Sequence, residues 1–175
     1  MLAKTFTDVD GRTHPGVTVE QHCLAVAYSA IAILETFPQR LREPFELNGL
    51  AVAIAVHDLG KVTPLFQGRL YLECARSMPN ALSEALACIP KFDHTSDCTE
   101  KQKRDARQEL ELFAGHAGAG EIILRGEIGN ALDTRSFTPA RIAGMHHGGS
   151  PDPEQLRFCK PESVYFGGAG WTQAR

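Results

Sequence analysis

The segment 51–61, AVAIAVHDLGK, constrains this chain more than any other. It sets an imidazole and a carboxylate, His57 and Asp58, at the end of a run apolar enough to be core, and Gly60 closes it. Burying both groups is costly unless each has a partner. A metal ion is one such partner, because it keeps the carboxylate charged and the imidazole neutral. A capped, hydrogen-bonded helix end is the other. Adjacent helical residues diverge by about 100°, so one of the two faces a cavity while the other approaches it from the side.

Helical signals dominate the rest of the chain. Residues 17–36 (VTVEQHCLAVAYSAIAILET) are apolar nearly all round, with Thr18 as a cap and a stop near Pro38, which predicts a central, buried helix. Residues 46–59 read as a second buried helix ended by Gly60, and 69–78 and 81–88 as two short ones separated by Pro79-Asn80. Residues 89–100 are polar and read as a surface loop. Residues 101–113 are charged and then amphipathic, and the helical pattern continues through 116–124 with a kink at its glycines. After a connection at 130–137, Thr138 caps and Pro139 opens a helix over 140–147, terminated by Gly148-Gly149. No alternating set builds a sheet, so the expected fold class is all-α.

A length of 175 residues suits one domain. The formal charge of −3 argues against coating duplex DNA by charge alone. Five cysteines, an odd number with no C-x-x-C pair, predict a reduced, cytoplasmic protein. The N-terminal stretch carries no signal-like apolar region. The most apolar run, 24–34, is too short to cross a bilayer, so no membrane partner is expected.

Seven histidines are the notable excess. His14 and His94 lie in polar, turn-like sequence and are set aside. His22 lies one turn inside the first helix, where a satisfied core histidine is the commoner finding. His116 is flanked by Gly115, Ala117 and Gly118, which allow close approach. His146-His147 close a helix beside two glycines. Together with His57-Asp58 these residues sit on separate helices at hairpin-like spacings, so they can converge in a bundle. Six ligand groups are too many for one tetrahedral zinc. They fit two metals sharing Asp58, with Mn, Fe, Co or Ni preferred over Mg by such nitrogen-rich donors. A two-metal site polarises a phosphoryl group and delivers a hydroxide to it.

The pattern H…HD…H…HH on a helical chain resembles the HD phosphohydrolase superfamily. Within it the chain is similar to the HD nuclease of type I CRISPR systems, which is fused to or paired with a DNA helicase. Leu2-Ala3-Lys4-Thr5 resembles that family's opening A-K-S/T, and His22 its first helix histidine. His57-Asp58-Leu59-Gly60-Lys61 with Phe66-Gln67 resembles its H-D-x-G-K-x-x-x-x-F-Q stretch, and His116 and His146-His147-Gly148 its later motifs. The resemblance implies one HD nuclease domain over 1–175 that cleaves single-stranded DNA beside a helicase domain or subunit and the CRISPR surveillance complex. It implies one metal on His22, His57 and Asp58 and another on Asp58, His116, His146 and His147. Asp58 and Lys61 take the catalytic roles, with Lys61 near the scissile phosphate.

Two departures from the family stand out. The family places a further aspartate well downstream of the H-H motif, whereas after His147 this chain offers only Asp152, too early in a Pro-bounded loop. The expectation is a C-terminally truncated domain or an incomplete site, with the His22 side poorer in charge. There is also no G-x-x-x-x-G-K-[S/T], so no ATP-driven motor is read here. Two alternatives keep the same histidines: a phosphohydrolase of nucleotides or small phosphate esters, and a non-catalytic docking module. The basic run 101–107 reads first as a solvated helix face and second as a guide for a DNA strand.

Overall fold

The computed structural model describes residues 1–47, 50–90, 92, 99–128, 139–149, 152, 156, 160, 163–168 and 171. The chain opens on a two-stranded antiparallel hairpin, β1 (Thr5–Thr7) against β2 (Thr13–Pro15), with Phe6 opposite His14. This corrects the expectation of no sheet: strands of three residues are built by turn chemistry rather than by alternation. Asp8 Oδ1 accepts the amides of Asp10 and Arg12, both at 2.9 Å, and Gly11 takes a φ of 77°. His14 Nε2 meets Asp8 Oδ2 at 2.6 Å, so this histidine belongs to the hairpin.

Eight α-helices follow among the described residues: α1 (Val19–Glu35), α2 (Gln39–Leu47), α3 (Leu50–Ala55), α4 (Pro64–Glu73), α5 (Asn80–Ala87), α6 (Thr99–Glu111), α7 (Gly115–Ile128) and α8 (Pro139–Met145). Short 3-10 turns lie at Leu59–Lys61 and Val164–Phe166. The all-α class holds. Thr18 starts α1 through a reciprocal capping box with Gln21, each side chain accepting the other's amide at 3.1 Å.

The buried helices are α4 and α7, with residues 117–124 of α7 all buried, and not α1. Pro64, Leu65, Phe66, Gln67, Gly68 and Leu70 are all buried, and α4 starts before the predicted 69–78 because Pro64 serves as its first residue behind Thr63. In α1 only Val19 and Cys23 are buried, while Leu24, Tyr28, Ile31 and Ile33 are exposed. Its main neighbour is α3, which covers one side; an alanine-rich helix can be apolar all round without being surrounded.

The expected helix over 46–59 is also revised. The ladder of α3 stops at Ala55, and the amides of His57, Leu59, Lys61 and Val62 each bond the carbonyl three residues back. His57 and Asp58 therefore stand in a tightened turn rather than in the helix. Between α6 and α7 the chain breaks instead of kinking, with Ala114 and Gly115 at φ 55° and 69°. The helix expected over 140–147 ends at Met145, leaving His146-His147 in a turn that Gly148 closes at φ 82°. The connection 130–137, Thr138, His94 and most of the predicted loop 89–100 lie outside the described residues.

One core cluster joins Leu65, Phe66 and Leu70 of α4 to Leu82 and Leu86 of α5 and Ala106 and Leu110 of α6. A second joins Phe113, Ile122 and Ile123 to Leu156 and Phe166. Leu59 packs on that second cluster and on two smaller ones, around Val19 and Cys23 and around Leu124 and Ala143. The residue after Asp58 is thus where three apolar clusters meet.

The hairpin supplies a pH test. The His14 ring and the Arg12 amide hold the Asp8 carboxyl below its ordinary 3.8. A lowered folded pKa contributes stability above the unfolded value, lost as pH falls through the folded one. The Asp10 and Arg12 amide resonances should follow a titration whose midpoint lies below 3.8. Titration of Asp8 at or above 3.8 would contradict the turn geometry.

Candidate metal centre

Three backbone placements assemble the centre. The capping box sets His22 one turn into α1. The turn after α3 presents His57 and Asp58. That turn then lies directly on the start of α7, where backbone meets backbone: a Cβ added at Gly60 would stand 1.8 Å from the His116 carbonyl oxygen and 2.5 Å from the Gly120 nitrogen. The glycines of 115–120 therefore bring His116 against Asp58. The helix α8 is fastened to α7 by Glu121, fully buried, which pairs with Arg125 and with Arg141 of α8 at 3.2 and 3.3 Å. Gly144 makes room for this carboxylate, since a Cβ there would lie 2.0 Å from Glu121 Oε2. The pairing carries His146 and His147 over His116.

Asp58, 2% exposed, is the hub. Its Oδ2 faces His22 Nε2 at 2.8 Å, His57 Nε2 at 3.2 Å and Lys61 Nζ at 2.7 Å. Its Oδ1 faces His116 Nε2 at 3.3 Å and His146 Nε2 at 3.4 Å. His147 Nε2 lies 2.9 Å from His116 Nε2. The donors fall into two groups, His22/His57/Asp58 and His116/His146/His147, each with its ligand atoms within 4.8 Å of one another. Every residue proposed from the sequence is thus brought together. Asp152 is exposed and joins neither group, which contain Asp58 as their only carboxylate among the described residues.

The chemistry of these donors fits divalent cations. His57 Nδ1 donates to the Ile54 carbonyl at 2.7 Å and His146 Nδ1 to the Ala143 carbonyl. A carbonyl only accepts, so the proton is on Nδ1 and the neutral ring aims its Nε2 lone pair at a carboxylate oxygen. Two acceptors facing each other at 3.2–3.4 Å require a positive charge between them or a further proton. Asp58 Oδ1 and His146 Nε2 are buried and make no hydrogen bond. The separations are those kept by neighbouring ligands each about 2.1 Å from one cation.

Electrostatics agree. Burial would raise the Asp58 carboxyl, but further protons shared with the imidazoles of His116, His146 and His57, where no cation takes their place, and the Lys61 ammonium hold it far below the usual range. Burial lowers His22, His116 and His147, favouring the neutral, ligating form, whereas the Asp58 carboxylate raises His57. Lys61, 7% exposed, also stands 5.8 Å from the Phe66 ring, whose edge packs on His116 at 5.2 Å.

The sequence reading did not find Glu121, Arg141 or Gln67 as parts of this assembly. Glu121 had one signal, a lone carboxylate in an otherwise apolar stretch. The basic run of α6 is a mixed-charge surface: Lys103 pairs with Glu100 at 2.9 Å, Arg104 is well exposed, and both line a groove with Glu73 and Glu111. That favours the solvated-face reading.

The family model described as Cas3, HD domain, matches residues 3–175. The chain belongs to the Cas3 HD-domain family. Membership makes it an HD-type, metal-dependent nuclease of CRISPR defence that works with a helicase. No curated protein and no solved structure matches it. No helix among the described residues of this Cas3 HD domain is long and apolar enough to cross a membrane.

Gly60 offers the sharpest test of the geometry. In Gly60→Ala the new methyl group meets backbone on both sides and cannot be absorbed by a side-chain rotation. Overpacking of this kind costs about 1–3 kcal/mol. Thermal unfolding should fall accordingly, and Mn²⁺ binding should weaken with it as Asp58 is pushed off His116. An alanine variant with wild-type stability and metal binding would refute the close packing of the turn on α7.

Proposed function

We propose that this Cas3 HD domain cleaves phosphodiester bonds of single-stranded DNA at a two-cation centre. The reading rests on one observation, the division of Asp58's two oxygens between two groups of histidines. His22, His57 and Asp58 would hold one cation, and Asp58, His116, His146 and His147 the other. The nitrogen-rich donors suit Mn, Fe, Co or Ni better than Mg. Bound there, a cation pair polarises a phosphoryl oxygen and makes water acidic.

The protein's own groups prepare that chemistry. The Ile54 and Ala143 carbonyls fix the tautomers of His57 and His146, so their Nε2 atoms enter the site as lone pairs. The half-buried rims of His22, His116 and His146, 15–18% exposed, leave an approach for a flexible strand. Lys61 places its ammonium on Asp58 at the centre, able to offset charge that gathers on a scissile phosphate. With one carboxylate for two cations, the His116/His146/His147 side, richer in donors, fills first. The strand is delivered by the helicase and the surveillance complex, in the cytoplasm.

Asp58→Ala tests the assignment. Circular single-stranded DNA and a panel of nucleotides are offered with Mn²⁺, and the helical signal is followed to confirm folding. Wild type should linearise the circle and leave the nucleotides intact. Losing a ligand shared by both cations should cost more than the roughly 100-fold loss typical of an outer-shell partner. Near-normal cleavage by Asp58→Ala would overturn the site, and phosphate release from nucleotides without cutting of the circle would overturn the substrate.

A further inference from the structure

Gln67, 1% exposed, is the one buried polar side chain of helix α4. Its amide is spent entirely on backbone. Oε1 accepts the Leu2 amide at 2.9 Å, while Nε2 donates to the Leu2 carbonyl at 2.7 Å and to the Lys61 carbonyl at 2.9 Å. Packing does not ask for an amide here: Leu65, Phe66 and Leu70 around it are apolar, and a residue such as Met would fill the volume.

What the amide joins is specific. Leu2 forms a bridge with Thr18, the cap of α1, and the flanking amides of Ala3 and Val19 bond Val17 and Met1. The position of Leu2 therefore sets where α1 begins, and His22 stands one turn further on, its amide bonded to the Thr18 carbonyl at 2.9 Å. Lys61 ends the 3-10 turn that follows Asp58, and its amide bonds the Asp58 carbonyl at 2.9 Å. One buried amide thus ties the start of the His22 helix to the end of the His57-Asp58 turn. Gln67 makes no hydrogen bond to the other group: His116, His146 and His147 come from α7 and the end of α8, held to each other by Glu121 and Arg141.

We infer that Gln67 is the positioning residue of the His22/His57/Asp58 half of the centre, setting the distance between His22 and Asp58 without touching a ligand atom. The inference rests on the two-cation reading above. An outer-shell partner typically changes metal affinity by about 10- to 100-fold. Gln67 bonds the start of the His22 helix and the end of the Asp58 turn, so its loss should weaken the His22/His57/Asp58 cation most and reach the other cation only through the shared Asp58.

The test is a Mn²⁺ titration of the full chain by calorimetry, comparing wild type, Gln67→Met and Gln67→Glu. His22→Ala and His147→Ala identify the two classes of bound ion. Leu82→Ala, in the α5 part of the core cluster that also holds Leu2, supplies a loss of stability that removes no polar contact of the centre. Both Gln67 variants should weaken the class removed by His22→Ala by about tenfold or more. The class removed by His147→Ala should weaken clearly less, and Leu82→Ala should leave both unchanged. Equal weakening of the two classes, no weakening, the same selective loss in Leu82→Ala, or failure of both Gln67 variants to fold would each overturn the inference. If wild type itself binds a single class of ion, the two-cation reading fails first; if it binds two and Gln67 does not discriminate between them, only this inference falls.

Discussion

A charged carboxylate kept almost wholly from water is the constraint from which the rest of this molecule follows. Desolvating such a group costs several kcal/mol even after relaxation, a large part of the 5–15 kcal/mol that ordinarily separates folded from unfolded protein. Asp58 is tolerated because cationic or cation-seeking groups surround both of its oxygens. Lys61 at 2.7 Å satisfies Oδ2 in part, but Oδ1 meets only imidazole nitrogens that make no hydrogen bond to it. The arrangement is satisfied fully by cations and only partly without them, which is the expected signature of a metal-binding core.

The helices serve this carboxylate by bringing backbone unusually close. Gly60 on the turn and Gly120 on α7 remove the side chains that would separate His116 from Asp58. Leu59 anchors the turn where three apolar clusters meet. Two buried polar side chains do the remaining joining, Gln67 between α1 and the turn, and Glu121 between α7 and α8. Apolar packing fixes the helices approximately, and these directional contacts set the positions of the ligating atoms.

Much of the site could be read from the sequence, and much of the local geometry could not. The six residues of the proposed centre were legible because imidazoles and a carboxylate in apolar surroundings demand a shared explanation. Thr18 was legible as a cap because its chemistry is local. The placement of α1 was not, since apolar composition says nothing of how many neighbours surround a helix. The tightening after Ala55 was hidden too: the same residues read well as one more helical turn, and only packing on α7 selects the 3-10 form. The hairpin escaped because the side chain of Asp8, rather than strand alternation, builds it. Gln67 looked like a motif letter without an office until Leu2, remote in sequence, was seen across the amide.

The central claim is that Asp58 joins two cations through its two oxygens. Low-temperature electron paramagnetic resonance of the chain during a Mn²⁺ titration tests it most directly. Two ions bridged by one carboxylate couple magnetically, so the signal of isolated Mn²⁺ should give way, as the second ion binds, to the denser hyperfine pattern of an exchange-coupled pair. The same titration of Asp58→Asn should show no coupling. A wild-type spectrum that remains the plain sum of isolated Mn²⁺ ions at full loading would contradict the account.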